Sequence, residues 1–167
     1  MVIFMSDSKQ IRLLDGEDLQ QGLALVWEVF SHDLAPECTD AGIEEFWHAI
    51  DFEYLLHRMG DGTLRFWGAF DGERPVGLIA LRELTHITLL FIESEYQFQG
   101  AGTALLKKAL LDCKDLDPAI DRVTVEALGQ SRGFFETLGF RVTGDDSMED
   151  GILKTPMEIS HNSDTTS

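Results

Sequence analysis

One segment restricts the fold of this chain more than any other. Within 86–111 an apolar run is followed by a glycine turn and then by an amphipathic pattern. The run 86–92 is rich in β-branched and apolar residues, which is typical of a buried strand. Beyond the turn, apolar residues recur at helical spacing, and three charged residues are predicted on the outer face: Lys107, Lys108 and Asp112. The segment therefore predicts a strand, a turn and a helix that packs back on the sheet.

The turn at 97–103 is a candidate site for an anion. Backbone N–H groups at the start of a helix have no intrahelical acceptor, and the helix dipole is positive there. Both properties favour a phosphate or pyrophosphate. A dinucleotide-binding fingerprint would need a third glycine where this chain has Leu105, and the Gly-Lys-Ser/Thr string of a Walker loop does not occur. The turn therefore predicts a phosphate-bearing ligand of another kind.

Length and composition predict one folded domain. The chain has 167 residues, of which 44% are hydrophobic, which is enough for one filled core. We expect an N-terminal extension over 1–10, the domain over 11–160 and a flexible tail over 161–167. The two cysteines, Cys38 and Cys113, are far apart and have no metal-ligand spacing, so we expect no disulfide, no bound metal and a cytoplasmic location.

The charge of the chain restricts its partners. Its net charge is −17, from 30 acidic and 13 basic residues. Nucleic acids and anionic membranes attract basic surfaces, so we expect neither as a partner. An acidic surface can serve solubility alone. Alternatively, an acidic cleft attracts a cationic substrate. The sequence leaves both interpretations open.

Hydrophobic periodicity predicts alternating helices and strands. Strands are predicted at 11–14, 64–70, 76–81, 86–92, 122–127, 140–143 and 152–159. Helices are predicted at 17–31, at 41–58 (whole or broken in two), after the glycine turn and at 130–138. The turn residues 71–74 predict a hairpin between the second and third strands. The sum is an α/β domain with a mostly antiparallel sheet, one parallel junction near the glycine turn and helices on its faces.

Two short motifs resemble those of a known family. Residues 97–102, Gln-x-x-Gly-x-Gly, resemble the acetyl-CoA signature of the GNAT superfamily of N-acetyltransferases, and the flanks within 95–106 match as well. Residues 134–140 resemble the second signature of that family, usually Phe-Tyr-Glu-Lys-Leu-Gly-Phe. Residues 151–158 resemble the last strand of a bacterial branch. The resemblance covers roughly 11–159, with the motifs in the expected order.

The resemblance implies both a fold and a ligand. The implied fold is the acyl-CoA N-acyltransferase fold, a mixed, mostly antiparallel sheet whose central strands splay so that acetyl-CoA lies in the gap. The residues that it implies as contacts of acetyl-CoA are Leu90, Phe91, Ile92, Gln97, Phe98, Gln99, Gly100, Ala101, Gly102, Thr103 and Phe135. The implied activity is direct transfer of the acetyl group to a small amine in a ternary complex, by a monomer or homodimer. The first two helices line the acceptor cleft in the family, so the resemblance implies Glu28, Glu44 and Glu45 as candidates for selecting a cation.

The implied reaction needs a base for the ammonium group and an acid for the departing thiolate. His86 is a candidate base because the ordinary pKa of histidine is close to neutrality. A histidine that only caps the end of a strand is the alternative. Glu93 and Glu126 are further candidates at the ends of the two strands beside the gap, where solvated carboxylates are the alternative.

The chain departs from the family pattern at residues that would take part in the reaction, rather than at those that would bind acetyl-CoA. Phe135 stands where the family has the tyrosine acid, and phenylalanine donates no proton. Glu126 and Leu128 replace the polar Asn and Ser of the bacterial branch. Three hypotheses follow: an N-acetyltransferase with an altered acid, a catalytically altered acyl-CoA-binding module or sensor, and an enzyme that transfers a longer acyl group.

Overall fold

The computed structural model describes residues 3–6 and 9–160. Its strands are β1 (Ile3–Ser6), β2 (Lys9–Leu13), β3 (Leu64–Asp71), β4 (Arg74–Arg82), β5 (His86–Ile92), β6 (Arg122–Leu128), β7 (Arg141–Val142), β8 (Ser147–Glu149) and β9 (Ile152–Ser160). Its helices are α1 (Gly16–Asp33), α2 (Asp40–Ala49), α3 (Phe52–Gly60), α4 (Ala101–Leu116) and α5 (Arg132–Thr137). Single 3₁₀ turns lie at Ala35–Glu37 and Ser94–Tyr96.

The strands form one mixed sheet in the order β1-β2-β3-β4-β5-β6-β9-β7, and β8 also pairs with β9. Among the described residues every pairing is antiparallel except that of β5 with β6, which is parallel. The connection between these two strands carries α4, as parallel neighbours require. The predicted α/β class, with its single parallel junction, is confirmed.

The parallel junction is short. β5 and β6 share only the pairs His86↔Thr124 and Ile87↔Val125. On its other side β5 pairs with β4 as far as Ile92, and β6 pairs with β9 along its whole length. The two strands therefore diverge after Ile87, and a gap opens in the centre of the sheet. The predicted splayed central strands are confirmed.

The core lies in two layers, one on each face of the sheet. Successive side chains of a strand point to opposite faces, and β3 illustrates this. Trp67 belongs to the cluster beneath α4, whereas Phe66 belongs to the cluster that holds the buried faces of α1 and α3. Both side chains are fully buried.

Helix α4 differs from the amphipathic prediction at one residue. Lys108 was predicted on the outer face, and that prediction is wrong because its side chain is buried. Its ammonium group donates to Asp112 Oδ1 at 2.9 Å, and Trp67 Nε1 donates to Asp112 Oδ2 at 2.8 Å. One carboxylate therefore neutralises the buried cation and satisfies a buried indole, which makes this position compatible with the core.

Other boundaries differ more modestly from the expectations. The sheet extends into the segment 1–10, because β1 lies there and β2 begins at Lys9. The predicted helix at 41–58 is broken in two, and Asp51 caps the second part by accepting a hydrogen bond from the Tyr54 N–H at 3.0 Å. Strand β8 was not predicted. The predicted tail, 161–167, lies outside the described residues.

Substitution of Asp112 by alanine tests the buried pair. We expect Asp112→Ala to lower the free energy of unfolding by about 3 kcal/mol, because the buried Lys108 ammonium loses its counter-ion and Trp67 loses its acceptor. Urea unfolding, followed by tryptophan fluorescence, measures this. Asp115→Ala is the matched control: Asp115 is exposed on the same helix, and we expect its removal to change stability by no more than about 0.5 kcal/mol. Equal losses in the two variants would contradict the role of the pair.

Candidate active site

The gap between β5 and β6 opens into a cavity of about 900 Å³. Residues 87–92 of β5 form one side of the cavity, and residues of the glycine turn and the start of α4 lie beside them. Residues 125–135, which run from β6 into α5, line the other side, and the end of α1 contributes His32 and Asp33. The shortness of the parallel junction thus leaves room for this cavity between the two strands.

The start of α4 can hold an anion. Gly100 is the N-cap residue, its φ is +86°, and no side chain caps the helix. The first helical hydrogen bond runs from the Ala104 N–H to the Gly100 carbonyl at 2.9 Å, so the N–H groups of 101–103 have no acceptor within the helix. A Cβ on Gly100 would meet no atom within 4 Å. Gly100 is therefore explained by its left-handed backbone, and the space in front of the helix is open.

Gly102 is explained differently. A Cβ at this position would lie 3.2 Å from the Phe134 Cζ atom, which is tighter than ordinary van der Waals contact. The close packing of the Phe134 ring on the first turn of α4 therefore calls for a residue without a side chain.

Most of the residues predicted to contact acetyl-CoA line this cavity. They are Leu90, Phe91, Ile92, Gln97, Phe98, Gly100, Gly102, Thr103 and Phe135. Two others do not line it: the Gln99 side chain donates to the Glu95 carbonyl at 2.7 Å, and the side chain of Ala101 is buried. The structure thus brings the predicted set together, while the ligand contacts themselves stay predictions.

A second cavity of about 430 Å³ lies beside the first. It is lined by α2, α3, the end of β4 and the β8–β9 hairpin. The two cavities share the residues at the start of the gap, among them 87–89 and Leu128. Glu126 also lines both. An exposed carboxylate therefore stands at the boundary between the two spaces.

His86 lies in the second cavity, at the parallel junction. Its Nδ1 is 2.7 Å from Thr124 Oγ1, and that hydroxyl lies 3.4 Å from the Thr85 carbonyl, to which it donates. The Thr124 hydroxyl can accept a proton from Nδ1 while it donates to that carbonyl, and which atom carries the shared proton depends on the tautomer of the ring. In the tautomer protonated at Nδ1, Nε2 is the nitrogen with a lone pair.

The surroundings of His86 favour its neutral form. Burial lowers the pKa of His86 from its ordinary value, and the positive charge of Arg82 lowers it further, while Glu126 opposes both. The ring is therefore neutral at neutral pH, and its Nε2 can accept a proton. This is the state that a general base requires.

Glu93 is placed differently from the other two catalytic candidates. Its carboxylate accepts a hydrogen bond from Arg74 Nη1 at 2.6 Å, and it lines neither cavity. Arg74 also donates to the hydroxyl of Tyr96, which in turn donates to Asp71. These contacts attach the end of β5 to the β3–β4 hairpin, so the structure separates Glu93 from His86 and Glu126.

No tyrosine hydroxyl reaches the larger cavity. Phe135 lines it with a ring that is only 3% exposed and packs against Phe134 and Phe140, each with a centroid separation of 5.2 Å. The chain has two tyrosines. Tyr54 lines the second cavity, and Tyr96 is bound to Asp71. A proton for a leaving group in the larger cavity therefore comes from a group other than tyrosine.

The charged lining of the site was largely missed by sequence reasoning. In the larger cavity the structure adds His32, Asp33 and Glu37; in the second cavity it adds Arg58, Arg82, Glu149, Asp150 and Lys154. These residues lie on helix ends and a hairpin that come together only in the folded chain, so no local sequence pattern could predict them. Of the three predicted acidic residues near the acceptor, Glu45 lines the second cavity, whereas Glu28 and Glu44 do not.

The charges of the second cavity are partly paired. Lys154 donates to Glu149 at 2.8 Å, and its pKa is raised by Glu149 first, with further contributions from Glu126 and Glu45. Three carboxylates thus surround one ammonium group. Among the described residues, no ion pair is present at Glu45 or Glu126.

Within the described part of the chain, no helix combines the length and the apolar character that crossing a membrane would need. The five helices instead pack around the sheet or lie at the edge of the cavities.

Two bacterial proteins resemble this chain in sequence. The peptidyl-lysine N-acetyltransferase YjaB of Salmonella typhimurium is 34% identical over 80 residues, which cover 48% of this chain and 52% of that protein. This match therefore spans about half the length of YjaB. The uncharacterized N-acetyltransferase YafP of Escherichia coli is 28% identical over 144 residues, which cover 84% of this chain and 86% of that protein.

Solved structures share the fold. The PaiA N-acetyltransferase of Thermoplasma acidophilum, in complex with coenzyme A, superimposes with a TM-score of 0.77 and 23% identity, covering 93% of this chain and all of that one. The family model of the acetyltransferase (GNAT) domain matches residues 34–161. The architecture, the splayed sheet and the motif order agree with this match: the chain belongs to the GNAT family of acetyltransferases.

Proposed function

We propose that this protein transfers the acetyl group of acetyl-CoA directly to a small amine that enters the second cavity as a cation. Family membership and the coenzyme A complex of the Thermoplasma relative support acetyl-CoA as the co-substrate. One observation carries the proposal: two adjacent cavities meet at the gap between β5 and β6, with Glu126 lining both. The larger cavity takes the thioester and the smaller one the acceptor, so both substrates are bound together.

The charge of the second cavity supports a cationic acceptor. Glu45, Glu126, Glu149 and Asp150 line it, and the whole chain carries a net charge of −17. An ammonium ion is attracted to such a cavity over several ångströms. Lys154 neutralises part of this charge through Glu149, and Arg58 and Arg82 also line the cavity, so its four carboxylates exceed its three basic side chains by one. Glu45 and Glu126 then remain to attract the ammonium group towards the gap.

His86 and Glu126 have different roles at the reacting nitrogen. Glu126 attracts the ammonium group, and Nε2 of His86 takes one of its protons. The neutral nitrogen then attacks the thioester carbonyl carbon and a C–N bond forms. The C–S bond breaks and the thiolate leaves, while the nitrogen loses its second proton to water to give the amide. Thr124 is a positioning residue, since its hydroxyl lies 2.7 Å from Nδ1 of His86 and can hold the ring in the tautomer in which Nε2 accepts a proton.

The thiolate can leave without a tyrosine acid. The thiol of cysteine has an ordinary pKa of about 8.5, and an alkyl thiol is likewise far more acidic than an alcohol, so a thiolate is a far better leaving group than an alkoxide. Protonation by water after departure is sufficient near neutral pH. The presence of Phe135 is thus compatible with turnover. The rate then depends more on the general base than it does in an enzyme that also has a tyrosine acid.

The proposed acceptor class can be tested with a panel of amines. Incubated with acetyl-CoA, the protein is expected to release free thiol fastest with small diamines and other cationic amines, because the acidic cavity favours them. Neutral amides and amino acids with a carboxylate beside the amine are the matched poor acceptors. A lysine-containing peptide belongs in the panel because YjaB is a peptidyl-lysine N-acetyltransferase. No thiol release with any amine would refute the activity, and a preference for the peptide would refute a small acceptor.

The second prediction concerns pH. Because the pKa of His86 is lowered, the basic form persists below the ordinary pKa, and kcat/KM for the amine should fall only at a pH below about 6.5. His86→Gln should remove this acid limb and reduce kcat/KM by about 10²- to 10⁴-fold. Steady-state rates between pH 5 and 9 measure both effects. An unchanged profile in His86→Gln would exclude His86 as the base.

Glu93 and Glu126 provide a matched pair of carboxylates for comparison. Glu126→Gln should raise KM for a cationic amine about tenfold or more, because a cavity-lining charge is lost while the side-chain shape is kept. Glu93→Gln should change kcat and the amine KM by less than about threefold, since Glu93 lines neither cavity. Measurement of kcat and of the amine KM for both variants, at a fixed saturating concentration of acetyl-CoA, shows which carboxylate acts on the amine. A larger effect at Glu93 would reverse the assignment.

A second candidate function is favoured by the burial of Phe135. In this alternative the protein binds acyl-CoA without turning it over, as a sensor or partner subunit. Phe135→Tyr distinguishes the sensor from the enzyme, because it adds a hydroxyl to a ring that already lines the larger cavity. A large gain in turnover over a nearly inactive wild type would support the sensor, and a fast wild type would eliminate it.

A further inference from the structure

Phe46 lies where the two cavities meet, and it lines both of them. The other described residues that line both cavities are Ile87, Thr88, Leu89, Glu126 and Leu128. Most of this shared boundary is therefore apolar, with Glu126 as its one charged side chain among the described residues. An ammonium group at the boundary is attracted by Glu126, whereas the acyl group of a thioester there has an apolar wall beside it.

The ring of Phe46 is held in place by two other rings. It stacks on Phe30 with a centroid separation of 3.9 Å and an interplanar angle of 9°. The centroid of Phe91 lies 5.8 Å from that of Phe46. Phe30 is fully buried and Phe91 is only 7% exposed. Because buried side chains of this kind are close-packed, a group that presses on Phe46 from the cavity meets a ring with little space behind it.

Helix α2, which carries Phe46, is itself fixed by the β8–β9 hairpin. The Thr39 N–H donates to the Asp150 carbonyl at 2.9 Å, and the Gly42 N–H donates to Thr39 Oγ1 at 3.1 Å. A Cβ on Gly42 would lie only 2.6 Å from Asp150 Cβ, so the helix and the hairpin are in direct contact. Gly42 and Phe46 are four residues apart and share one face of the helix. The contact that fixes α2 therefore also fixes the distance between the ring and the gap.

We propose that Phe46 limits the length of the acyl group, so that the protein accepts acetyl and rejects longer acyl groups. The proposal rests on the proposed function, since it needs acyl transfer at the boundary between the cavities. An acyl chain with one or two more methylenes extends from the carbonyl carbon into the apolar space that the Phe46 ring occupies. Extra methylenes are unfavourable where the packed wall cannot shift. A smaller side chain at this position would instead let each methylene gain hydrophobic burial.

The test compares thioesters that differ only in acyl length. With a small aliphatic diamine at saturation, kcat/KM for acetyl-, propionyl- and butyryl-CoA is measured in the wild type, Phe46→Ala and Phe46→Leu. The wild type should prefer acetyl to butyryl by about 100-fold or more, because one methylene in a tight pocket changes kcat/KM by about tenfold or more. Phe46→Ala should reduce this preference at least about tenfold, and Phe46→Leu should give an intermediate value. The ratio between two thioesters does not depend on how much of a variant is folded.

Ile43→Ala is the matched control. Ile43 lies on the same helix and packs against the same core cluster, but it is not among the described residues that line either cavity. Its removal should therefore leave the preference for acetyl within about twofold of the wild type, even if it lowers stability as much as Phe46→Ala does.

The other outcomes overturn the proposal. An unchanged preference in both Phe46 variants, or an equal change in Ile43→Ala, would show that the ring does not act on the acyl chain. A wild type that uses butyryl-CoA as well as acetyl-CoA would show that no limit exists. A changed preference among amines with an unchanged preference among thioesters would mean that Phe46 contacts the acceptor instead. No turnover by the wild type with any thioester would refute the proposed function itself, and this proposal with it.

Discussion

The parallel pairing between β5 and β6 is the contact on which the site depends. It joins two antiparallel half-sheets through only two residue pairs, His86↔Thr124 and Ile87↔Val125. If the two strands paired over more residues, the gap would close and no cavity would form between them. If they did not pair at all, the two half-sheets would separate. The same junction carries the hydrogen bond between His86 and Thr124. The geometry that opens the site thus also orients its proposed base.

The sequence could predict what depends on neighbours along the chain. The glycine turn, the order of helices and strands and the parallel junction all follow from local patterns, and Gly100 has its left-handed backbone because of the turn itself. Features that depend on distant contacts could not be predicted. Gly102 is explained by the Phe134 ring, and Lys108 is buried because Trp67 and Asp112 lie in place to receive it. An amphipathic pattern contains no information about such partners.

The electrostatics of the site combine two opposite demands. A strongly acidic protein is proposed to bind a polyanionic thioester and a cationic amine in adjacent spaces. Four carboxylates line the second cavity, where they are proposed to attract the amine, while the start of α4 presents backbone N–H groups that no side chain caps. Backbone dipoles hold an anion locally without cancelling the acidic field that the acceptor needs.

The divergence of the central strands also leaves backbone groups of 88–92 without a strand partner on the side that faces the gap. Such a row is an internal sheet edge, chemically equivalent to the outer edges through which β-proteins join one another and aggregate. A bound pantetheine arm, with its two amides, would cover this edge as a short additional strand does. Binding of acetyl-CoA as proposed would therefore satisfy backbone groups that the divergence of the strands leaves unpaired, and the empty form would be the one with the exposed edge.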